Sequence, residues 1–493
     1  MAPVSALPRL GFLMVLLAWT LVGCASLRVA DTQPLTAAQL EPVGAEAISK
    51  GGYRLASLSA SHQLPDLLVL VAMSGGGKRS AAFSYGALKG MRETSIPTSA
   101  DPRDLLHELS GISGVSGGSF TAAYYGLYRD QMFGRYEKDF LHQDTNSYIF
   151  GIFLLPWNWT WMVNPNVGTN DFMERVYDQT LFRGAKFKDL RARGRPVIGI
   201  SATDLNYGAP FVFTQEVFDI ICSDLDEFPV ARAVAASNGF PGLFTPVTLT
   251  SRRAECGGRI PGWDSRITAE QRADPLSRLG AQANLIDRYL DPKRTRYLHL
   301  ADGGIADNLG LRVAGSMMQN LAQSPADLTL KGYDRIRRIL VISVDGEGAQ
   351  DATIAQHKAM GGLFSLFGLV SGTQIDRYNF ETLTTVTAQL REIAQALRAA
   401  RCARGKVIDG AACDDVQAQL VHISLAGMNP GPERDALLAI PTGLTLKPND
   451  ADLLVAAGES AVKDSLALRA FIGNYPPRPP VDSPRQRMAA RDE

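Results

Sequence analysis

From about residue 66 to residue 471 the chain alternates short apolar runs with stretches of helical spacing. Residues 67–73 (LLVLVAM) are apolar without interruption, the pattern of a strand buried on both faces. Residues 78–94 carry helical periodicity. A short strand is expected at 109–113 and a helix at 119–128. Further strands are expected at 196–202 (PVIGISA), 211–214, 297–301, 338–344 (RILVISV) and 420–425. Helices are expected at 311–321, 384–401 and 450–471. Strands that alternate with helices imply an α/β fold: a mostly parallel central sheet with helices on both faces.

Two segments break that rhythm. Residues 148–163 gather Trp157, Trp159 and Trp161 beside Ile, Phe and Leu, and 359–370 is apolar and punctuated by glycine. An apolar lid or membrane contact has this composition, and so does the core of an inserted helical and aromatic segment.

Composition narrows the class. At 493 residues and 45% hydrophobic, the chain can bury a large core. Fifty basic and fifty acidic residues cancel, which argues against an electrostatic nucleic-acid binder. Six histidines with no HExxH and no paired CxxC argue against a zinc enzyme, so neither metal nor cofactor is expected.

The N-terminus reads as an address. Arg9 precedes an apolar run over 10–21, shorter than the roughly 20 residues of a spanning helix. The run ends in Leu21-Val22-Gly23-Cys24, which resembles a bacterial lipobox; the alternative is an ordinary signal peptide with an incidental cysteine. On the first reading Cys24 is lipidated and becomes the mature N-terminus, held at the membrane surface by acyl chains. Ala25 follows where an aspartate would favour the inner membrane, so the expected location is the bacterial cell envelope, at the outer membrane. The organisation expected is a signal peptide over 1–23, a tether over 24–65, one domain over 66–474 with an insertion near 140–194, and a disordered Pro/Arg-rich tail over 475–493.

Export implies an oxidising compartment. Cys222, Cys256, Cys402 and Cys413 allow three pairings. Cys402 and Cys413 flank a glycine-containing loop and suit a local bridge, which leaves Cys222 with Cys256. Four buried thiols are the alternative.

Three motifs carry candidate chemistry. Ser74-Gly75-Gly76-Gly77-Lys78-Arg79-Ser80 follows the first strand and opens a helix. A P-loop fails here at Ala72 and Arg79, and a dinucleotide fingerprint fails at Ser80. An oxyanion hole needs only aligned N–H donors, and a glycine-rich turn without a ligand needs nothing more. Gly114-Val115-Ser116-Gly117-Gly118 lies between strand and helix, where small neighbours permit a sharp turn that exposes a serine. Asp302-Gly303-Gly304 ends a strand, where Asp302 can face the cleft as a general base or simply cap a turn.

In this order, the three motifs resemble those of the patatin-like phospholipase family. The segment 236–244 (ASNGFPGLF) and Ser201-Ala202-Thr203-Asp204 also resemble family stretches, and the likeness runs from about 66 to 312. The resemblance implies a Ser–Asp dyad without histidine, with Ser116 as nucleophile and Asp302 as base. It places Gly75, Gly76 and Gly77 at the oxyanion hole, with Arg79 and Gly117 in support. It implies a phospholipid or lysophospholipid as substrate. Ser80 stands where the family motif closes on glycine, and Ser74 where aspartate is common.

Other functions remain open on the sequence: an acyltransferase with the same nucleophile, an idle lipid-binding lipoprotein, or a Ser–Asp–His hydrolase. For the last, His299, His357 and His422 are the histidines that follow the serine motif in suitable positions, but a buried strand histidine such as His299 is more often a satisfied core residue. Asp345-Gly346 also ends a strand but lacks the second glycine and reads as structural.

Overall fold

Uninterrupted apolar strands need cover on both sides, and the chain supplies it. The computed structural model describes residues 28–35, 52–54, 63–97, 103–147, 164, 166–257, 268–274, 276–315, 328, 333–348 and 363–475. Cys24, the 148–163 segment with its three tryptophans, His357 and the 476–493 tail lie outside the described residues, as do the side chains of 359–370.

One sheet organises the described residues. Its nine strands are β1 (Val29–Ala30), β2 (Leu67–Met73), β3 (Leu109–Val115), β4 (Val197–Asp204), β5 (Ala209–Phe213), β6 (Val247–Thr250), β7 (Tyr297–Asp302), β8 (Arg338–Asp345) and β9 (Gln417–Ser424). Their order is β1-β6-β7-β4-β3-β2-β8-β9, with β5 also on β4. The run β4-β3-β2-β8-β9 is parallel throughout, while β5, β6 and β7 add antiparallel pairings.

Seven helices matter below: α1 (Gly77–Glu93), α2 (Gly117–Tyr128), α3 (Thr169–Tyr177), α4 (Val230–Ser237), α5 (Leu363–Arg404), α6 (Pro448–Asp464) and α7 (Leu466–Gly473). Alternation along the strands feeds two cores. Val69, Val71 and Met73 of β2 join Leu340, Ile342 and Val344 of β8 in the core that α1, α2 and α6 cover. Leu68, Leu70, Ile339 and Val341 face the other way, onto Val386, Leu390, Ile393 and Leu397 of α5.

The expected strands all form, most a residue or two longer than their apolar runs. The expected single helix over 450–471 is two, α6 and α7. The break falls at Ser465, whose backbone is extended (φ −63°, ψ 106°) and whose hydroxyl accepts from the Leu468 N–H as the cap of α7. Of the helix expected at 311–321, residues 311–315 are helical and the rest lie outside the described residues. Disulfides join Cys222 to Cys256 (Cα–Cα 6.0 Å) and Cys402 to Cys413 (4.9 Å).

The register around β4 decides where chemistry can occur. A strand has two edges, and β5 takes one edge of β4 from Ile200 to Asp204. The other edge is shared. β3 pairs with it up to Val115↔Ser201, and β7 takes over at Asp302↔Ala202. β3 runs parallel to β4 and β7 antiparallel, so their C-terminal ends meet head to head. Ser116, the residue after β3, is thereby delivered to Asp302, the last residue of β7, across 186 residues of sequence.

Candidate active site

Ser116 sits on the turn from β3 into α2, in a backbone conformation that L-residues seldom adopt (φ 46°, ψ −116°). Such strain, worth about 1–3 kcal/mol, persists only where neighbours over-determine it. Here the Ser116 N–H donates to Ser237 Oγ (2.9 Å), whose hydroxyl donates to the Ser201 carbonyl (2.6 Å). The Ser116 carbonyl accepts from both the N–H (3.0 Å) and the hydroxyl (2.6 Å) of Ser119.

Ser116 Oγ donates to Asp302 Oδ2 at 2.9 Å. The other carboxylate oxygen accepts from the Gly304 N–H (2.8 Å), the second glycine of Asp302-Gly303-Gly304. The Asp302 N–H donates to the Gly239 carbonyl and its own carbonyl accepts from Thr203 Oγ1, so the main chain is pinned from both sides. Burial pushes the Asp302 carboxyl up to about 6, against the opposing pull of the Gly304 N–H and the Ser116 hydroxyl. A carboxylate in that range is ionised at neutral pH and basic enough to take a proton.

No histidine among the described residues bonds to either group. His299 is exposed rather than buried as its sequence context implied, because it alternates with the buried Leu298 and Leu300 and points to the opposite face of β7. Its Nδ1 lies 3.0 Å from Thr248 Oγ1. His422 lies 3.2 Å from Ser343 Oγ on β8. Asp345 accepts the Glu347 N–H and closes a turn.

The glycine loop divides its labour. Gly75 was expected among the oxyanion donors, but its N–H is already given to the Asn308 carbonyl (2.9 Å). Its contribution is space: a Cβ there would lie 2.4 Å from Asn308 Oδ1 and 3.5 Å from Ser116 Cβ. The Lys78 N–H goes to Gly443 and the Gly118 N–H to Ser74. The N–H groups of Gly76, Gly77 and Gly117 donate to nothing among the described residues. Gly77 opens α1 and Gly117 opens α2, and the two starts are in contact: a Cβ on Gly117 would lie 2.0 Å from the Gly77 carbonyl oxygen. Two helix N-termini thus place unspent donors and positive partial charge together.

The two departures from the family motif compensate each other. Ser80 Oγ donates to the Ser74 carbonyl (2.7 Å), and Ser74 Oγ accepts from the Gly346 N–H (3.1 Å), so the pair laces the loop to the end of β8. Arg79 is buried and donates to the carbonyls of Gly346 (2.9 Å) and Ile440 (2.8 Å). Its part is to brace the loop.

Asn238 and Tyr177 are site residues that sequence reasoning did not assign. Asn238 Oδ1 lies 3.1 Å from Ser116 Oγ, whose single proton goes to Asp302, and Asn238 Nδ2 donates to the Tyr177 hydroxyl (3.1 Å). Asn238 lay within the matched 236–244 segment, which was the available signal. Tyr177 ends α3 and has none. Both line a small cleft with Gly77, Phe120, Phe140 and Leu444. Among the described residues no cluster of His, Cys, Asp or Glu could hold a metal ion.

A family model described as patatin-like phospholipase matches residues 71–314. No curated protein matches the chain. Among solved structures, human GIVD cytosolic phospholipase A2 aligns at 13% identity and a TM-score of 0.40, over 83% of this chain and 63% of that one. Its complex with methyl gamma-linolenyl fluorophosphonate aligns at 14% and 0.34, over 83% and 60%. The chain therefore spans less than two thirds of the structures it matches.

Proposed function

We propose a membrane-anchored lipid acyl hydrolase of the phospholipase A or lysophospholipase type, a reading supported by the match of residues 71–314 to the patatin-like phospholipase family model. The observation that carries the proposal is the 2.9 Å bond from Ser116 Oγ to Asp302 Oδ2 beside three unspent backbone donors. Asp302 takes the Ser116 proton as Oγ attacks the ester carbonyl carbon. The resulting oxyanion accepts from the N–H groups of Gly76, Gly77 and Gly117. Removing one such donor costs about 2.7–4 kcal/mol in comparable sites. As the intermediate collapses, the C–O bond to the leaving alcohol breaks and Asp302 returns its proton to that oxygen. Water, deprotonated by Asp302, then attacks the acyl-Ser116 ester; as the acyl–Oγ bond breaks, Asp302 returns the proton to Ser116 Oγ and the fatty acid leaves. Each step needs only groups of this chain, the ester and water.

The anchor belongs to the proposal as well. Lipidation of Cys24 would hold the domain at the envelope, in the outer membrane. Among the described residues no helix is long and apolar enough to cross a membrane.

The test is hydrolysis of phospholipid and lysophospholipid in mixed micelles, read by fatty-acid release. Ser116→Ala and Asp302→Asn should each lower turnover by about 10³-fold or more, since a dyad acts as a unit. Full activity in Asp302→Asn would remove Asp302 from the mechanism.

A further inference from the structure

Lys78 follows the oxyanion loop directly, and the dyad chemistry leaves it without a task. It is only 3% exposed. Its Nζ donates to the carbonyl oxygens of Phe140 (2.8 Å) and Gln143 (2.5 Å) and lies 4.7 Å from the Phe140 ring centroid. An ammonium has three N–H donors. The third meets no protein acceptor among the described residues. No described carboxylate lies within ion-pair range of it, and Asp144 acts on it only at a distance. Burial accordingly pulls the ammonium down to about 8.

Tying two carbonyls together is work a neutral donor can do. A buried positive charge without a counter-ion is destabilising, and the Phe140 ring offsets it only in part. This charge lines the cleft that Gly77 and Asn238 also line, so it borders the reacting centre. The neighbouring Arg79 already donates to two carbonyls and braces the loop.

Building on the lipid-hydrolase reading, we infer that Lys78 is the anion-recognition group of the cleft: its ammonium binds the phosphate of a phospholipid or lysophospholipid whose ester carbonyl lies at Ser116. The phosphate oxygen fills the third donor and supplies the missing counter-ion. Phe120, Phe140 and Leu444 give the same cleft apolar walls for the acyl chain. The site therefore favours phosphate-bearing lipids over neutral glycerides.

The test uses full-length Ser116→Ala protein, in which ligands bind without turnover. Dodecyl phosphate and the uncharged dodecyl glycerol ether are titrated calorimetrically below their micellar concentrations. Dodecyl phosphate should bind about 10–100-fold tighter, the range of one charge-assisted hydrogen bond. Adding Lys78→Met should abolish that preference, and Lys78→Arg should keep most of it. Equal binding of the two ligands by the Ser116→Ala protein would overturn the inference, and that arm requires no Lys78 variant to fold. Inorganic phosphate bound as tightly as dodecyl phosphate would overturn the lipid assignment in favour of a free anion. A protein that keeps the phosphate preference while its wild type hydrolyses no lipid ester would sustain Lys78 as the anion site and defeat the hydrolase reading.

Discussion

At the scale of residues, Asp302 ties activity to stability. Its folded pKa is raised from the ordinary carboxylate range to about 6, so its contribution to stability is fullest below pH 4 and is lost as pH rises through 6. Keeping it ionised at neutral pH costs about 3 kcal/mol. Two outcomes follow from the sign. The acid limb of the kcat/KM profile should fall near pH 6, because the base must be ionised. Asp302→Asn should remove the buried charge, so its Tm should exceed the wild-type value at pH 8 and converge on it toward pH 4. Asp307, also pushed up to about 6 by burial, titrates in both proteins and cancels in the comparison. A variant less stable than wild type at pH 8 would contradict this assignment. Gly117→Ala tests the other half of the site. Its new Cβ would strike the Gly77 carbonyl, so esterase turnover should fall by about 10²-fold or more as the donors move apart. Retained turnover would place the oxyanion elsewhere.

At this scale the sequence was most legible where chemistry is local. Ser116 and Asp302 each stand in a short glycine-rich motif at a strand end, and such a turn is specified by its immediate neighbours. Tyr177 was not legible and Asn238 was legible only as part of the 236–244 segment, because their roles arise from contacts across 61 and 122 residues. The Asn308 carbonyl, which occupies the Gly75 N–H, is equally long-range. That contact is why Gly76 and Gly77, but not Gly75, keep an unspent N–H among the described residues, as Gly117 does.

At the scale of elements, the site depends on β3 and β7 sharing one edge of β4. The long apolar strands β2, β4 and β8 could be read directly, since burial on both faces demands continuous hydrophobicity. The four-residue β6 was missed, being too short to show a period, and so were α3 and α4. The 450–471 helix was read as continuous because a single capping serine scarcely alters the apolar spacing. The disulfides also act here. Cys402–Cys413 ties the end of α5 to the strand pair that follows it, with no contact to Ser116 among the described residues. Replacing both cysteines by serine should lower stability by about 3 kcal/mol on loop-entropy grounds. Short-ester kcat/KM should stay unchanged at temperatures where the variant is folded. Denaturant titration beside an esterase assay separates the two effects, and a matching loss of activity would mean that α5 reaches the site.

At the scale of the whole molecule, the proposed lipid substrate resides in a membrane, and the proposed anchor would supply the encounter. Cys24→Ser should move the protein from the membrane to the soluble fraction on cell fractionation. It should leave soluble-ester hydrolysis intact and lower hydrolysis of vesicle phospholipid. An unchanged membrane fraction would shift anchoring to another part of the chain. Trp157, Trp159 and Trp161 read from the sequence as a lid, a membrane contact or core, and substitution separates these readings. Replacing them by alanine should weaken vesicle binding while sparing soluble short-chain esters, and equal loss on both would point to a folding role. The proposal as a whole turns on an activated serine served by a carboxylate. The most direct measurement is reaction of the protein with a fluorophosphonate in the presence of vesicles, with the adduct located by peptide mass. A single adduct on Ser116 that disappears in Asp302→Asn is the expected result. An adduct on a different serine, or none at all, would contradict it.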